Sequence, residues 1–366
     1  MSFEGGSISF RLFYLPRDLP NNAVERFTKF VVPPLQHLKE APVNGWVTGR
    51  HLLDRQINKD TAYFGGYLRM TLMRAERKIP TSLFRAECRM EELARQQAMG
   101  VAALPAKIRG EIKKQITERL LPTMPPTLKG ITLVYDENSR LMFVSALSEK
   151  QVEAFNVSFG QTMQMQPILL TPSSMAAWRR KVDVRDWDPA SFSPEVESEP
   201  GEETVGLDFL TWLLFASEAR GGIFQVPDIG EVGVMVEGPL MFVMEGAGAH
   251  EAVLRKGEPV FSVEAKTALM SGKKLRRAKV SFARGNETWQ CTLDAQDFAF
   301  RSLRLPDTEA LDPVGRFQER MRHLDTFNGV LFGMYERFLD ERADAGRWAS
   351  TLKEVHKWLA DRGARK

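Results

Sequence analysis

The chain has 366 residues and a formal net charge of only +3, with 43% hydrophobic and 27% charged residues. This is the composition of a globular protein that is too long for one ordinary core, and no apolar run approaches the roughly 20 residues that cross a membrane. The two cysteines are too few for a disulfide framework. We therefore expect two or three domains in the reducing cytoplasm, without a membrane span.

Residues 1–180 are predicted to form a first region of mixed α and β structure. Alternating apolar side chains over residues 8–14 predict a strand. After Pro80 the apolar spacing changes to three and four residues, which predicts a pair of helices over residues 81–121. Two short strands joined by a turn are expected over residues 131–144.

Residues 181–205 are predicted to be a flexible acidic linker or a long surface loop. Asp, Glu, Ser and Pro dominate the segment from Asp183 to Glu203, so it has little apolar surface to offset its ordering entropy. A second α and β region is expected over residues 206–310, and two helices over residues 311–366. The predicted fold class is α+β, with mainly antiparallel sheets and flanking helices.

Positive charge is concentrated in residues 255–306, which we call the basic stretch. Up to Arg284 it holds nine Lys and Arg against two Glu, a local excess of +7 in a chain of +3. The spacing predicts a helix that ends at Gly272 and then a β-meander, whose first strand has one apolar and one basic face. The basic face would suit phosphates. The predicted DNA-binding residues are Lys266, Lys273, Lys274, Arg276, Arg277, Lys279 and Arg284.

The sequence lacks the motifs of the common enzyme classes. It has no glycine-rich nucleotide loop and no G-x-S-x-G elbow, and its five histidines show no metal-ligand spacing. We therefore expect no catalytic residue, no metal and no cofactor.

Two alternatives remain open at this stage. Asp228, Glu264 and Lys266 resemble the PD-(D/E)xK nuclease pattern, in which two acids hold Mg²⁺ and a lysine helps to orient the attacking water. The E-x-K triplet is common by chance, however, and here it falls where a helix is predicted to begin. The other alternative is a protein-interaction scaffold, whose basic surface meets the acidic segment or an acidic partner.

Several short sequences also occur in a characteristic order along most of the chain. They are Gly45-Trp46-Val47, Arg74-Ala75-Glu76-Arg77-Lys78-Ile79-Pro80, Leu120-Leu121-Pro122, Thr211-Trp212-Leu213, Gly272-Lys273 with Leu275 and Lys279, and Phe317 with Arg320 and Leu324-Asp325. This series resembles the bacterial recombination-associated RdgC family.

The resemblance implies an elongated protomer that forms a ring-shaped homodimer around duplex DNA, without sequence preference. It also implies a nucleoid-associated protein that modulates homologous recombination by limiting the RecA recombinase, with no catalytic activity. The chain departs from the family pattern in two places. The acidic segment looks like an insertion, and the tail beyond about Arg342 looks like an extension.

Overall fold

The computed structural model describes residues 3–38, 41–187, 190–196, 204–244, 251–255 and 263–361. The chain divides into two compact units. Unit 1 comprises Met1–Arg17, Asn138–Glu149 and Pro167–Lys366, and unit 2 comprises Asp18–Glu137 and Lys150–Gln166. These units differ from the four consecutive regions predicted from the sequence, because strands near residues 8–14 and 141–144 join the sheet of the C-terminal half.

Unit 1 is built on an antiparallel sheet. Its described strands are β1 (Ile8–Tyr14), β6 (Leu141–Val144), β7 (Ile168–Leu169), β8 (Ile223–Val226), β9 (Gly230–Val243), β10 (Glu251–Leu254), β11 (Lys274–Arg284), β12 (Glu287–Asp294) and β13 (Ala299–Arg304). They are ordered β10-β9-β11-β12-β13-β1-β6, with β8 also paired to β9 and β7 also paired to β1. The predicted β-meander is confirmed as β11, β12 and β13.

Helices pack against this sheet and against one another. They are α6 (Pro172–Arg180), α7 (Val205–Ala219), α8 (Val263–Met270), α9 (Pro313–Ala343) and α10 (Ala345–Ala360). Helix α7 is apolar on almost every side and lies in the core. On α9, Phe327 packs against Phe282 of β11 and Phe300 of β13. Each such buried side chain contributes about 1.5–3 kcal/mol relative to exposure, so the α9 contacts fix which face of the meander is inside.

Unit 2 has a smaller antiparallel sheet and its own helices. The elements are β2 (Val43–Thr48), β3 (Tyr63–Phe64), β4 (Tyr67–Arg77), β5 (Pro126–Asp136), α1 (Ala23–Lys29), α2 (Lys59–Ala62), α3 (Thr81–Met99), α4 (Ala106–Leu120) and α5 (Glu149–Met163). The strand order is β5-β4-β2, and β3 pairs with β4. On one face of the sheet, Trp46 packs against Phe155 and Phe159 of α5 and donates its indole N–H to Thr162, at 2.8 Å.

The predicted helix pair is confirmed as α3 and α4. A small core of Cys88, Leu104, Ile112 and Ile116 holds the two helices together. Helix α3 ends at Gly100, whose φ of 61° lies in the left-handed region that glycine adopts without steric cost. With both units assigned, the predicted α+β class is confirmed. No helix among the described residues is long and apolar enough to cross a bilayer.

The acidic segment is packed in part, which favours the loop over the flexible linker of the two predicted alternatives. Residues 190–196 contain no helix or strand, but the Phe192 ring is buried 5.8 Å from Trp348 of α10. Ser193 also donates its hydroxyl to the carbonyl oxygen of Met270, at 2.5 Å. These two contacts help to anchor the segment to the helices of unit 1. Residues 188–189 and 197–203 of this segment lie outside the described residues.

Candidate nucleic-acid interface

The basic stretch lies on α8 and on the β-meander of unit 1. Ala278, Val280 and Phe282 of β11 are buried against the helices, whereas Lys279 lies between them on the opposite, outer face of the sheet. The alternation predicted from the sequence therefore holds along this part of β11. It leaves an outer sheet face on which polar and cationic side chains meet solvent.

Two rows of cross-strand neighbours run across this outer face. One row contains Glu237, Lys279, Thr292 and Arg301, and the next contains Met235, Ser281, Gln290 and Arg304. Adjacent strands are about 4.8 Å apart, so Lys279 and Arg301 are separated by about 10 Å across the sheet. We call the side chains of these two rows the outer-face rows. They combine three cations with hydroxyl and amide groups, which are the groups that contact phosphate and sugar.

Arg301 and Arg304 extend the positive charge beyond the residues predicted from the sequence. Among the described residues, neither has a carboxylate within ion-pairing distance, and the Nε of Arg301 is buried without a hydrogen-bond partner. Neither arginine was predicted, because both lie beyond Arg284, where the dense run of positive charge ends. The signal that could have found them is the third strand of the predicted meander, where both arginines face away from the buried Phe300 and Leu303.

Lys274 is not part of this surface. It is 3% exposed, and its ammonium lies 2.8 Å from the buried Asp208 carboxylate on α7. Burial raises the pKa of Asp208, and the Lys274 ammonium opposes that rise. The prediction of a phosphate contact is corrected here, because the first residue of β11 faces α7 and its charge is already paired inside the core.

Lys266 is also committed to a contact within unit 1. Its ammonium donates to the carbonyl oxygens of Trp358 and Asp361, at 2.8 and 2.6 Å, where α10 ends. A cation at this position satisfies carbonyl groups that have no partner inside the helix and opposes the negative end of its dipole. The side chain therefore serves as a cap for α10.

The residues of the nuclease alternative lie on separate elements. Glu264 is exposed in the first turn of α8, while Asp228 lies in the turn between β8 and β9 with a φ of 61°. Among the described residues, no group of three or more His, Cys, Asp and Glu side chains is placed to hold a metal ion. The E-x-K triplet therefore has a structural role: it lies in the first turn of α8, which begins at Val263, and its Lys266 caps α10.

The remaining predicted residues are half-exposed, and most have acidic partners. Arg276 and Arg277 share Asp294, at 3.5 and 2.5 Å. Lys279 pairs with Glu237 at 2.9 Å, and Arg284 with Glu287 at 2.5 Å. Lys273 has no side-chain partner in the described part of the chain. The partner of Arg276 and Arg277 is buried, whereas Glu237 and Glu287 are half-exposed. Ion pairs near the surface contribute only about 0–1 kcal/mol, so phosphate can compete with the carboxylate for Lys279 and Arg284.

A family model described as "Putative exonuclease, RdgC" matches residues 21–182. This match confirms the resemblance to the RdgC family over these residues. No curated protein matches the chain. The match covers almost the whole of unit 2 and ends before the basic stretch. The matched range contains none of the seven residues predicted to bind DNA.

Proposed function

We propose that this protein binds duplex DNA without sequence preference, as a non-catalytic homodimeric ring. On the nucleoid it would modulate homologous recombination by limiting the RecA recombinase. The observation that carries the DNA-binding part is the outer-face rows, where Lys279, Arg301 and Arg304 lie among Ser281, Gln290 and Thr292. Such groups contact phosphates. They lie on the face of a sheet and not on a helix or a two-stranded ribbon of the kind that enters the major groove, which fits binding without sequence preference.

The proposed DNA contacts are assigned by exposure. Arg301 and Arg304 join the half-exposed members of the predicted set, whereas Lys266 and Lys274 are assigned to packing. The proposed contact residues are Lys273, Arg276, Arg277, Lys279, Arg284, Arg301 and Arg304. Each phosphate that is contacted should contribute about −0.9 to the slope of log K against log salt concentration.

Salt-dependent binding to a short duplex tests the proposal. Replacing Lys279, Arg301 and Arg304 together by Ala should flatten the slope by about two to three units, because three phosphate contacts are lost. The matched control replaces Arg322, Arg347 and Lys353 of α9 and α10 by Ala, which removes the same charge from unit 1. An equal slope in the two triple variants would refute the assignment of the outer-face rows.

The family model is described as a putative exonuclease, so the nuclease alternative is tested by incubating the same duplex with Mg²⁺. We expect binding without release of nucleotides. Release that disappears on replacing Glu264 by Ala, with binding retained, would favour the nuclease.

Restraint of RecA is tested by adding the protein to a RecA strand-exchange reaction, in which the outer-face triple variant should inhibit less than the unaltered protein.

A further inference from the structure

Unit 2 carries a separate excess of positive charge where β4 and β5 pair. Arg74 lies directly opposite Lys129 in the antiparallel register. Like charges in this position destabilise a strand pair unless something offsets them. Two residues away on the same face, helix α5 covers Trp46, which lies opposite Leu72. Arg74 and Lys129 remain open to solvent.

One carboxylate lies beneath these cations. Glu76 is 8% exposed, and its Oε2 lies 3.2 Å from a guanidinium nitrogen of Arg74. Its Oε1 lies 2.7 Å from the Lys78 ammonium and 3.9 Å from the Lys129 ammonium. The hydrogen bond from Lys78, with help from Arg74, lowers the pKa of Glu76 and so keeps it ionised.

The cluster has three cations for a single anion. Among the described residues, Glu76 is the one carboxylate in ion-pairing distance of Arg74, Lys78 or Lys129, which leaves an excess of +2. Because both ammonium groups contact the same oxygen, they are no more than about 6.6 Å apart. The lysine side chains are 61% and 65% exposed, so both can turn toward a ligand.

Neutral donors border the cluster on the same face. Asn44 of β2 lies opposite Arg74, and Thr127 of β5 lies opposite Glu76, both at exposed positions. Charged N–H···O contacts to phosphate are typically about 2.7–2.9 Å long. Two ammonium groups within about 6.6 Å can therefore hold different oxygens of one phosphate, with the guanidinium beside them.

We propose that Arg74, Lys78 and Lys129 form a phosphate-binding site of unit 2, which takes the sugar-phosphate backbone of a polynucleotide. This inference rests on the proposed function, and it adds a contact independent of the outer-face rows in unit 1. It also lies inside residues 21–182, the RdgC-matched part of the chain, which contains none of the seven residues predicted from the sequence.

The test replaces Arg74, Lys78 and Lys129 together by Ala in the full chain. The matched control replaces Lys29, Lys59 and Lys150, three exposed lysines of unit 2, and so removes the same charge. With a fluorescent duplex at about 50–200 mM salt, the cluster variant should flatten the salt slope by about two to three units. The control should leave the slope unchanged.

Glu76→Gln provides a second variant, with the opposite expected effect on duplex affinity. It removes the counter-charge and keeps the three cations, so duplex affinity should rise. If the cluster variant and Glu76→Gln both bind like the control while the outer-face variant binds more weakly, this inference is overturned and the proposed function stands.

The phosphate site can also be tested if the proposed function fails. If the unaltered protein does not bind the duplex, the proposed function fails, and inorganic tripolyphosphate becomes the probe in a calorimetric titration. Loss of tripolyphosphate binding in the cluster variant alone would keep the phosphate site. Equal heats in the cluster variant and the control would overturn it.

Discussion

Lys274 and Lys279 stand on the same strand with the same side chain in opposite environments. Lys279 lies on the outer face of β11, 35% exposed, and pairs with the half-exposed Glu237. Lys274 lies against α7, where both its ammonium and the Asp208 carboxylate are removed from water. Desolvation makes a buried charge costly unless its partner is present, so only Lys279 can exchange its carboxylate for a phosphate.

We predict that Lys274→Ala destabilises unit 1 strongly without altering the salt slope of DNA binding. It leaves the Asp208 carboxylate buried without its partner, which costs about 3–5 kcal/mol. Urea unfolding measures this loss, and Lys279→Ala serves as the control, with an expected change under about 1 kcal/mol. A stable Lys274→Ala protein with a slope flattened by about 0.9 would instead place the Lys274 ammonium on DNA.

At the scale of the elements, Glu218 lies where α7, α8 and α10 meet. Its carboxylate accepts a hydrogen bond from the indole N–H of Trp358 at 3.1 Å, while its Oε1 is buried without a hydrogen-bond partner in the described part of the chain. Burial raises the pKa of Glu218 to about 7, although the Trp358 hydrogen bond and the charge of Lys266 oppose the rise. The folded protein therefore favours the protonated carboxyl.

This raised pKa predicts how stability depends on pH. The contribution of Glu218 is fully present below its ordinary pKa of 4.5, and it is lost as the pH rises through about 7. Glu218→Gln should remove this loss, so its melting temperature should exceed that of the unaltered protein by an amount that grows from pH 5 to about 7 and then levels off. A difference that stays constant over this range would contradict the assignment.

Local periodicity made several elements predictable. The three- and four-residue apolar spacing of α4 and the alternation of β11 each follow from neighbouring residues, and the structure confirms both. Contacts between distant segments were not predictable. Lys274 meets Asp208 and Lys279 meets Glu237 across intervals that no local pattern specifies. The clustering of Lys and Arg in the sequence therefore indicates the basic stretch, but not which of these side chains are paired with carboxylates.

The sheet of unit 1 shows the same limit. β1 lies between β13 and β6, so the first strand of the chain pairs with residues almost 300 positions later. In β13 the register shifts at Ser302, whose φ of 52° is left-handed, and this bulge sets the positions of Arg301 and Arg304 on the outer face. Neither the pairing nor the bulge has a signal in the sequence of β13 alone.

At the scale of the whole molecule, the proposed homodimer requires a surface for a second copy. Helix α3 offers one, because Leu83, Met90 and Leu93 recur at helical spacing and remain exposed although the opposite side of α3 packs on α4. Isolated apolar side chains are common on surfaces, but a stripe along one helix is typical of an interface. The apolar side chains of two such helices would exclude water when they pack together.

We predict that Met90→Asp converts the dimer to a monomer, because it would bury a carboxylate without a partner in the apolar contact. Val157→Asp is the matched control, since Val157 is also an exposed apolar residue of unit 2 but lies on α5. Light scattering after size exclusion should give the mass of one chain for Met90→Asp and of two chains for Val157→Asp. If Met90→Asp remains a dimer with its fold intact by circular dichroism, the stripe on α3 is not the contact.

Because a ring of two chains needs contacts that close it, the monomeric variant should also dissociate from circular duplex DNA at a lower salt concentration than the control.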